Sequence, residues 1–406
     1  MTEPAYTPAD RLWLWWLGDP AHPACVGELS LVQAGRAVAL AYDPQWLRSG
    51  FALSADLPLA PGLFQPVERD TAVGAVDDAR PDRWGERVIR KFENSPRMSL
   101  LEYLLFAGDD RYGALGVGKR EDAYLPWRAS PMPAFTQLED MYSAVRKILA
   151  NEAVPEVQRR LVRPGASLGG ARPKSLVRID GEPWIIKFSE GEDMDTPLVE
   201  HACMTLARAC GIRTADTRAV PLGGRHAVAV RRFDRQGEMR LHAVSANVAL
   251  RAAGEQLGYP QLALLLRRLA PANAIAEQQE ELFRRMLFNI MMDNTDDHEK
   301  NHALVRQADG SYLLSPAFDI VPSAQGLGYQ QMLVGDAASE STLDNALSQA
   351  MQFGLRPAPA RHIASEVGKV VAGWKKHFRS LGVVRRDLDE IAQYIDSDRL
   401  RAQRGQ

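Results

Sequence analysis

Thr295-Asp296-Asp297-His298-Glu299-Lys300-Asn301 places an acid five residues before an amide. An Asp and an Asn at that spacing form the catalytic loop of kinases, where the Asp accepts the proton of the attacking hydroxyl and the Asn holds Mg²⁺ against the ATP phosphates. Asp296 is thus a candidate proton acceptor and Asn301 a candidate metal ligand. A second acid, Asp319 in Ser315-Pro316-Ala317-Phe318-Asp319-Ile320, follows two apolar runs, Ala303-Leu304-Val305 and Tyr312-Leu313-Leu314, joined across Asp309-Gly310. That pattern predicts a hairpin. A hairpin returns the chain to its start, which lets Asp319 lie beside Asn301 and share a metal with it. Taken alone, an Asp/Asn/His-rich stretch after a helix also describes a capped, solvated loop.

A second candidate lies upstream, in Gly165-Ala166-Ser167-Leu168-Gly169-Gly170-Ala171-Arg172-Pro173-Lys174. Glycines such as Gly169 and Gly170 let backbone N–H groups turn towards an anion without Cβ interference, as a loop covering phosphates requires. The same composition suits a plain surface loop, and it matches neither common phosphate-loop signature. Leu176-Val177-Arg178-Ile179 and Trp184-Ile185-Ile186-Lys187-Phe188 flank Asp180-Gly181-Glu182-Pro183, a second predicted hairpin. With its turn centred between Gly181 and Glu182, Lys187 falls opposite Leu176, near the Gly-rich segment. There it is either an exposed edge residue or the lysine that pairs with the α- and β-phosphates.

These groups need elements to hold them. The spacing of Leu282, Phe283, Met286, Leu287, Ile290 and Met291 by three and four predicts a buried helix over about Gln279 to Met292, ended by Asp293-Asn294, so the heptad sits at the mouth of a rigid element. Leu198 to Gly211 predicts a helix carrying Glu200, either exposed or paired with the strand lysine as in kinases. The strand Ala227-Val228-Ala229-Val230 runs into Arg231-Arg232-Phe233-Asp234-Arg235, a connector that could offer groups to an adenine.

Along its 406 residues the chain has a formal net charge of −2, which gives no global attraction to nucleic acid. The N-terminal run Leu12-Trp13-Leu14-Trp15-Trp16-Leu17 is too short for a membrane span and suits a strand, so a cytoplasmic protein is expected. Cys25, Cys203 and Cys210 form no CxxC pair, and packing of Cys203 on a helix is favoured over a metal shared with His201. Residues 1–130 read as β-rich with helices near Trp84 to Phe92 and Leu100 to Phe106. Residues 131–240 read as mixed, with a helix near Leu138 to Ala150, and residues 241–406 as helical. Near the C-terminus, Ile363, Val367, Val370, Val371, Trp374, Phe378 and Leu381 form an apolar stripe on one predicted helix. Lys369, Lys375, Lys376 and Arg379 occupy its other side, either solvated or placed to touch phosphates.

Together, Ser167 to Lys174, Ile186-Lys187, Val199-Glu200-His201-Ala202-Cys203, Arg232 to Arg235, Asn294 to Asn301 and Phe318-Asp319-Ile320 resemble the HipA family of serine/threonine kinase toxins. Ala79-Arg80-Pro81-Asp82-Arg83 and Asp110 to Leu115 resemble that family's N-terminal domain, so the likeness runs nearly end to end. The resemblance implies an α+β, two-lobed protein-kinase-like fold with a β-rich N-terminal module and an all-α C-terminal lobe. It further implies an ATP- and Mg²⁺-dependent kinase with Asp296 as base and His298 and Lys300 in support. Asn301 and Asp319 would hold the metal. Gly169, Gly170, Lys187, Glu200, Arg231 and Phe233 would hold the nucleotide, and Ser167 would be autophosphorylated. An aminoacyl-tRNA synthetase substrate and a helix-turn-helix antitoxin (HipB-like) that carries the toxin to operator DNA are implied as well. The chain departs from the family at Ala243-Val244-Ser245-Ala246-Asn247, where a Gln-Glu-Asp-type stretch is common, and at Arg231, where Glu is frequent. A small-molecule or lipid kinase on the same plan, or a non-catalytic corepressor scaffold, are the alternative readings.

Overall fold

The computed structural model describes residues 6–165 and 170–405. The chain forms two compact units, one of Met1–Glu190 with Arg232–Val244 and one of Gly191–Arg231 with Ser245–Gln406. Among the described residues no helix is long and apolar enough to cross a membrane.

The first unit is built on an antiparallel five-stranded sheet in the order Leu63–Phe64, Ala37–Tyr42, Ala24–Val32, Arg11–Trp16, Leu115–Gly118. The N-terminal aromatic run is therefore a strand, as its composition predicts. Helix Leu100–Phe106 has six of its seven residues buried and packs on this sheet. Even Glu102 is wholly enclosed, its carboxylate receiving Tyr6 Oη at 3.1 Å and the Ser99 amide at 2.9 Å. Helix Arg83–Phe92 starts at Asp82, whose side chain accepts the Gly85 amide at 2.8 Å, so the cap satisfies a donor that the first turn leaves open. Helix Leu138–Leu149 and the hairpin Lys174–Ile179/Glu182–Lys187 also belong to the unit.

That hairpin corrects one expectation. Asp180 and Gly181 have φ of 52° and 82°, so they are the two turn residues, and Lys187 stands opposite Lys174 rather than Leu176. Asp-Gly is the preferred pair for a two-residue turn with both φ positive, whereas Glu182 would be strained there.

The second unit centres on helix Ile275–Met291, which begins a turn earlier than the apolar spacing predicts. Leu282, Phe283, Met286, Leu287, Ile290 and Met291 are all buried, and the helix packs against Tyr259–Leu269 and Pro357–Val371. Phe283 meets Phe353 edge-on with centroids 5.1 Å apart. Helix Thr196–Ala209 and the hairpin Thr217–Leu222/Arg225–Arg231 supply further parts of this unit. The C-terminal stripe lies on two helices, Pro357–Val371 and Trp374–Ser380, not one. Ala372-Gly373 interrupts it, as the low helical propensity of Gly allows.

Candidate active site

In the second unit the chain leaves helix Ile275–Met291 through Asp293, whose φ of 53° turns it sharply. Asn294 anchors the turn, with its amide on Asn289 O at 2.9 Å and its Nδ2 on Asn289 Oδ1 at 3.0 Å. Thr295 and Asp297 are both buried, while Asp296 between them is exposed. The exposed Asp296 carboxylate is thus presented from a firmly held backbone. His298 opens the short 3-10 turn Glu299–Asn301, its Nδ1 accepting the Lys300 amide at 3.2 Å. His298 thus has a capping role, and the Lys300 side chain is exposed.

Asn301 is buried, and its Oδ1 has no hydrogen-bond partner. An enclosed amide oxygen without a donor costs about 1–3 kcal/mol, which a ligand at that atom would offset. Such an oxygen is the donor type a hard cation takes. From Asn301 the chain enters the hairpin Ala303–Arg306/Tyr312–Leu314, where Leu304 pairs with Leu314 and the Ser315 amide returns to Ala303 O at 2.8 Å. The predicted hairpin is present. Beyond it the Ala317 amide bonds Arg213 O, and the Ala215 amide bonds Ala317 O, both at 2.8 Å. Asp319 then adopts φ of 58° between buried Phe318 and Ile320. A non-glycine residue in that conformation is strained by about 1–3 kcal/mol, a cost that concentrates at functional sites.

Two features of this loop escape motif reading. Asp297, fully buried, receives Tyr259 Oη and pairs with His302 Nε2 at 2.8 Å. Burial pushes its pKa up, but His302 and Tyr259 outweigh that and hold the carboxyl below its usual range. Asn289 Nδ2 in turn bonds Tyr259 Oη at 3.2 Å. On the other side, Ser323 Oγ lies 2.6 Å from Thr295 Oγ1 and 2.7 Å from Asp293 O. The sequence signal for the first was an acid beside the candidate base with a His five residues on.

Glu200 of the second unit is buried on helix Thr196–Ala209, not exposed. On the same helix His201 Nδ1 lies 2.8 Å from Thr217 Oγ1, and Cys203 is fully packed. Ser245 caps helix Ala246–Ala252 by accepting the Val248 amide at 3.2 Å, so the departure at 243–247 makes its own helix start. Arg231 is about half exposed, its guanidinium 3.7 Å from Asp216.

In the first unit Ser167 and Gly169 lie outside the described residues, whereas Gly170 has φ of 58°. Lys187 is buried, which removes the reading of an exposed edge residue. Lys174 opposite it is also buried, with its ammonium bonded to Asp82 and to Gly170 O. Trp84 Nε1 donates to Lys174 O at 2.8 Å, so helix Arg83–Phe92 and the end of the Gly-rich segment meet at one residue. The connector residue Phe233 meets Tyr112 edge-on at 6.2 Å. On either side of it, Arg232 and Asp234 form a buried pair, Nε to Oδ1 at 2.8 Å and Nη2 to Oδ2 at 2.6 Å. Asp234 also accepts the Gly113 amide at 2.8 Å, and Arg232 donates to the carbonyls of Asp110 and Arg111 at 2.9 Å. Burial raises the Asp234 pKa, but Arg232 and Arg235 overcome it and hold the carboxyl well below the usual range. Crowding in the same cluster works against the third charge: burial, then the neighbouring Arg232, lowers the Arg235 pKa to about 9.

Comparison with known proteins adds to this geometry. Residues 166–374 match the HipA-like C-terminal domain and residues 21–118 the HipA N-terminal domain. The serine/threonine-protein kinase toxin HipA of Shewanella oneidensis is 24% identical over 352 residues, 76% of this chain and 75% of that protein. A putative kinase, Y4dM, of Sinorhizobium fredii is 26% identical over 153 residues, 35% of this chain and 37% of its own. Among solved structures, the Shewanella oneidensis complex of HipA, HipB and operator DNA contains a chain similar in fold at a TM-score of 0.68. The likeness has 20% identity and covers 97% of this chain and 96% of that one.

Proposed function

The chain belongs to the HipA family, and from that premise we propose that it is an ATP- and Mg²⁺-dependent serine/threonine protein kinase acting as the toxin of a toxin–antitoxin pair. One observation carries the reading: Asp296 is exposed between buried neighbours, five residues before a buried Asn301 whose Oδ1 has no partner. Asp296 orients a substrate hydroxyl and takes its proton as the oxygen attacks the γ-phosphorus, while the bond to the β-phosphate oxygen breaks. Asn301 and Asp319 provide oxygen donors for Mg²⁺, which when bound neutralises phosphate charge. Lys187, Gly169 and Gly170 serve the phosphates, and Glu200 is a further candidate for nucleotide binding. Arg231 and Phe233 border the nucleotide, and His298 and Lys300 shape the loop.

The substrate in this reading is a protein serine or threonine, with an aminoacyl-tRNA synthetase as the proposed target and Ser167 as a site of self-modification. A HipB-like helix-turn-helix antitoxin is the proposed partner, bringing the protein to operator DNA. The test is incubation of purified protein and of its Asp296→Asn form with ATP, Mg²⁺ and a cell extract, followed by phosphosite mass spectrometry. New phosphosites only with the unaltered protein support the reading; identical phosphosite sets overturn it.

A further inference from the structure

The candidate base and the candidate metal ligand are five residues apart, and so are Asp297 and His302, whose side chains bond at 2.8 Å. The second pair is the first displaced by one position. A bond from 297 to 302 therefore closes an arch over the segment between Asp296 and Asn301. The arch also has an outside anchor: Tyr259, the first residue of helix Tyr259–Leu269, donates its hydroxyl to Asp297 Oδ2 and stands edge-on to the His302 ring at 5.5 Å. Asn289 of helix Ile275–Met291 bonds that hydroxyl at 3.2 Å and also accepts from Asn294 at the start of the loop. Beyond the arch, His302 O accepts the Ala246 amide at 2.8 Å, so the residue is held by backbone as well as by its ring. Tyr259, Asp297 and His302 are all buried, so none of them meets a substrate directly.

We infer that Asp297, with Tyr259 and His302, is a positioning device that sets the separation of Asp296 from Asn301. This rests on the kinase reading above. Even a paired carboxylate is costly to bury, and the chain retains one here where an apolar residue would pack more cheaply. Its return is geometric: a base displaced by about 1 Å can lose about 10²-fold in rate.

The test uses the full-length protein and four variants, Asp296→Asn, Tyr259→Phe, Asp297→Asn and the Tyr259→Phe/Asp297→Asn double. ADP release from ATP–Mg²⁺, with water or a hydroxyl of a second copy as the phosphoryl acceptor, gives kcat and KM, and thermal melts report folding. Tyr259→Phe should lower kcat about tenfold and Asp297→Asn about 10²-fold, with KM for ATP within about twofold. The double variant should match Asp297→Asn, because both changes break one unit. Folded single variants with unaltered kcat overturn the inference and leave the kinase reading intact. A kcat loss that is matched by a risen KM and a collapsed melt indicates a merely structural role and overturns it too. Should Asp297→Asn fail to fold, Tyr259→Phe decides alone. Wild-type protein that releases no ADP, or Asp296→Asn at full rate, overturns the kinase reading and this inference with it.

Discussion

Lys174 and Lys187 stand directly opposite each other on antiparallel strands, so two buried lysines emerge on one face beside the Gly-rich segment. Like charges facing each other repel and need anionic company. Asp82 and the Gly170 carbonyl answer Lys174, which ties the start of helix Arg83–Phe92 to the loop that the kinase reading places over phosphates.

Replacing that answer should be costly. Asp82→Asn removes the counter-charge of a fully enclosed ammonium and weakens a helix cap, and we expect a loss of about 3–5 kcal/mol from the first unit. Urea titration compared with the wild-type protein measures it. An unchanged midpoint would show that the pair is dispensable.

Asp296→Asn keeps shape but loses the charge that, in the proposed mechanism, takes the hydroxyl proton. Phosphoryl transfer should fall by at least about 10²-fold, the usual contribution of a positioned base, while the melting curve stays unchanged. Radiolabel transfer from ATP is the measurement.

Asn301→Ala and Asp319→Ala each remove an oxygen from the proposed Mg²⁺ site, which offers few protein donors. ATP affinity in the presence of Mg²⁺ should weaken, and affinity in EDTA should stay as it is. Calorimetric titration under both conditions separates the two effects.

Ser167 precedes Gly170 and Lys174 in the sequence, and if this segment covers the ATP phosphates as proposed, a phosphate on it would add about −1.5 to −2 charge that competes with the nucleotide. Phosphorylated protein should therefore bind ATP poorly and transfer nothing. The modification is expected to pass between molecules, so Asp296→Asn protein mixed with active protein and ATP should acquire phosphate on Ser167 by mass spectrometry.

Asp234 supplies a pH prediction. Its folded pKa is depressed, so its contribution is complete above the unfolded value of about 3.9 and is lost as pH falls through the folded value. Wild-type stability should drop with acid below about pH 4. Asp234→Asn should start lower, because Arg232 loses its counter-charge, and should change less over that range. Urea midpoints across pH 2–7 on both proteins give the two slopes.

Where local rules decide, the sequence was a reliable guide. The 303–314 hairpin and helices such as Leu100–Phe106 carry their own turn residues and apolar spacing, and they appear where those signals put them. The register at Lys187 slipped by two because Asp180-Gly181, not Gly181-Glu182, has the turn chemistry. The C-terminal stripe hid a break because apolar periodicity continues across Gly373 although the hydrogen-bond ladder does not. Asp297 and Asp234 were invisible as anchors for a different reason. Their partners Tyr259 and Gly113 lie 38 and 121 positions away, and no local pattern records that distance.

The make-up of the first unit, Met1–Glu190 plus Arg232–Val244, bears on how the chain is made. On a ribosome the unit cannot be finished when residue 190 emerges, because the Arg111 carbonyl and the Gly113 amide still await Arg232 and Asp234. At ordinary elongation rates the wait is roughly 3–10 s. During that interval the whole five-stranded sheet can form while one corner of the unit stays open to chaperones or to a nascent partner. For the same reason no single cut yields both units intact, and a split-protein design has to carry the 232–244 segment with the N-terminal fragment.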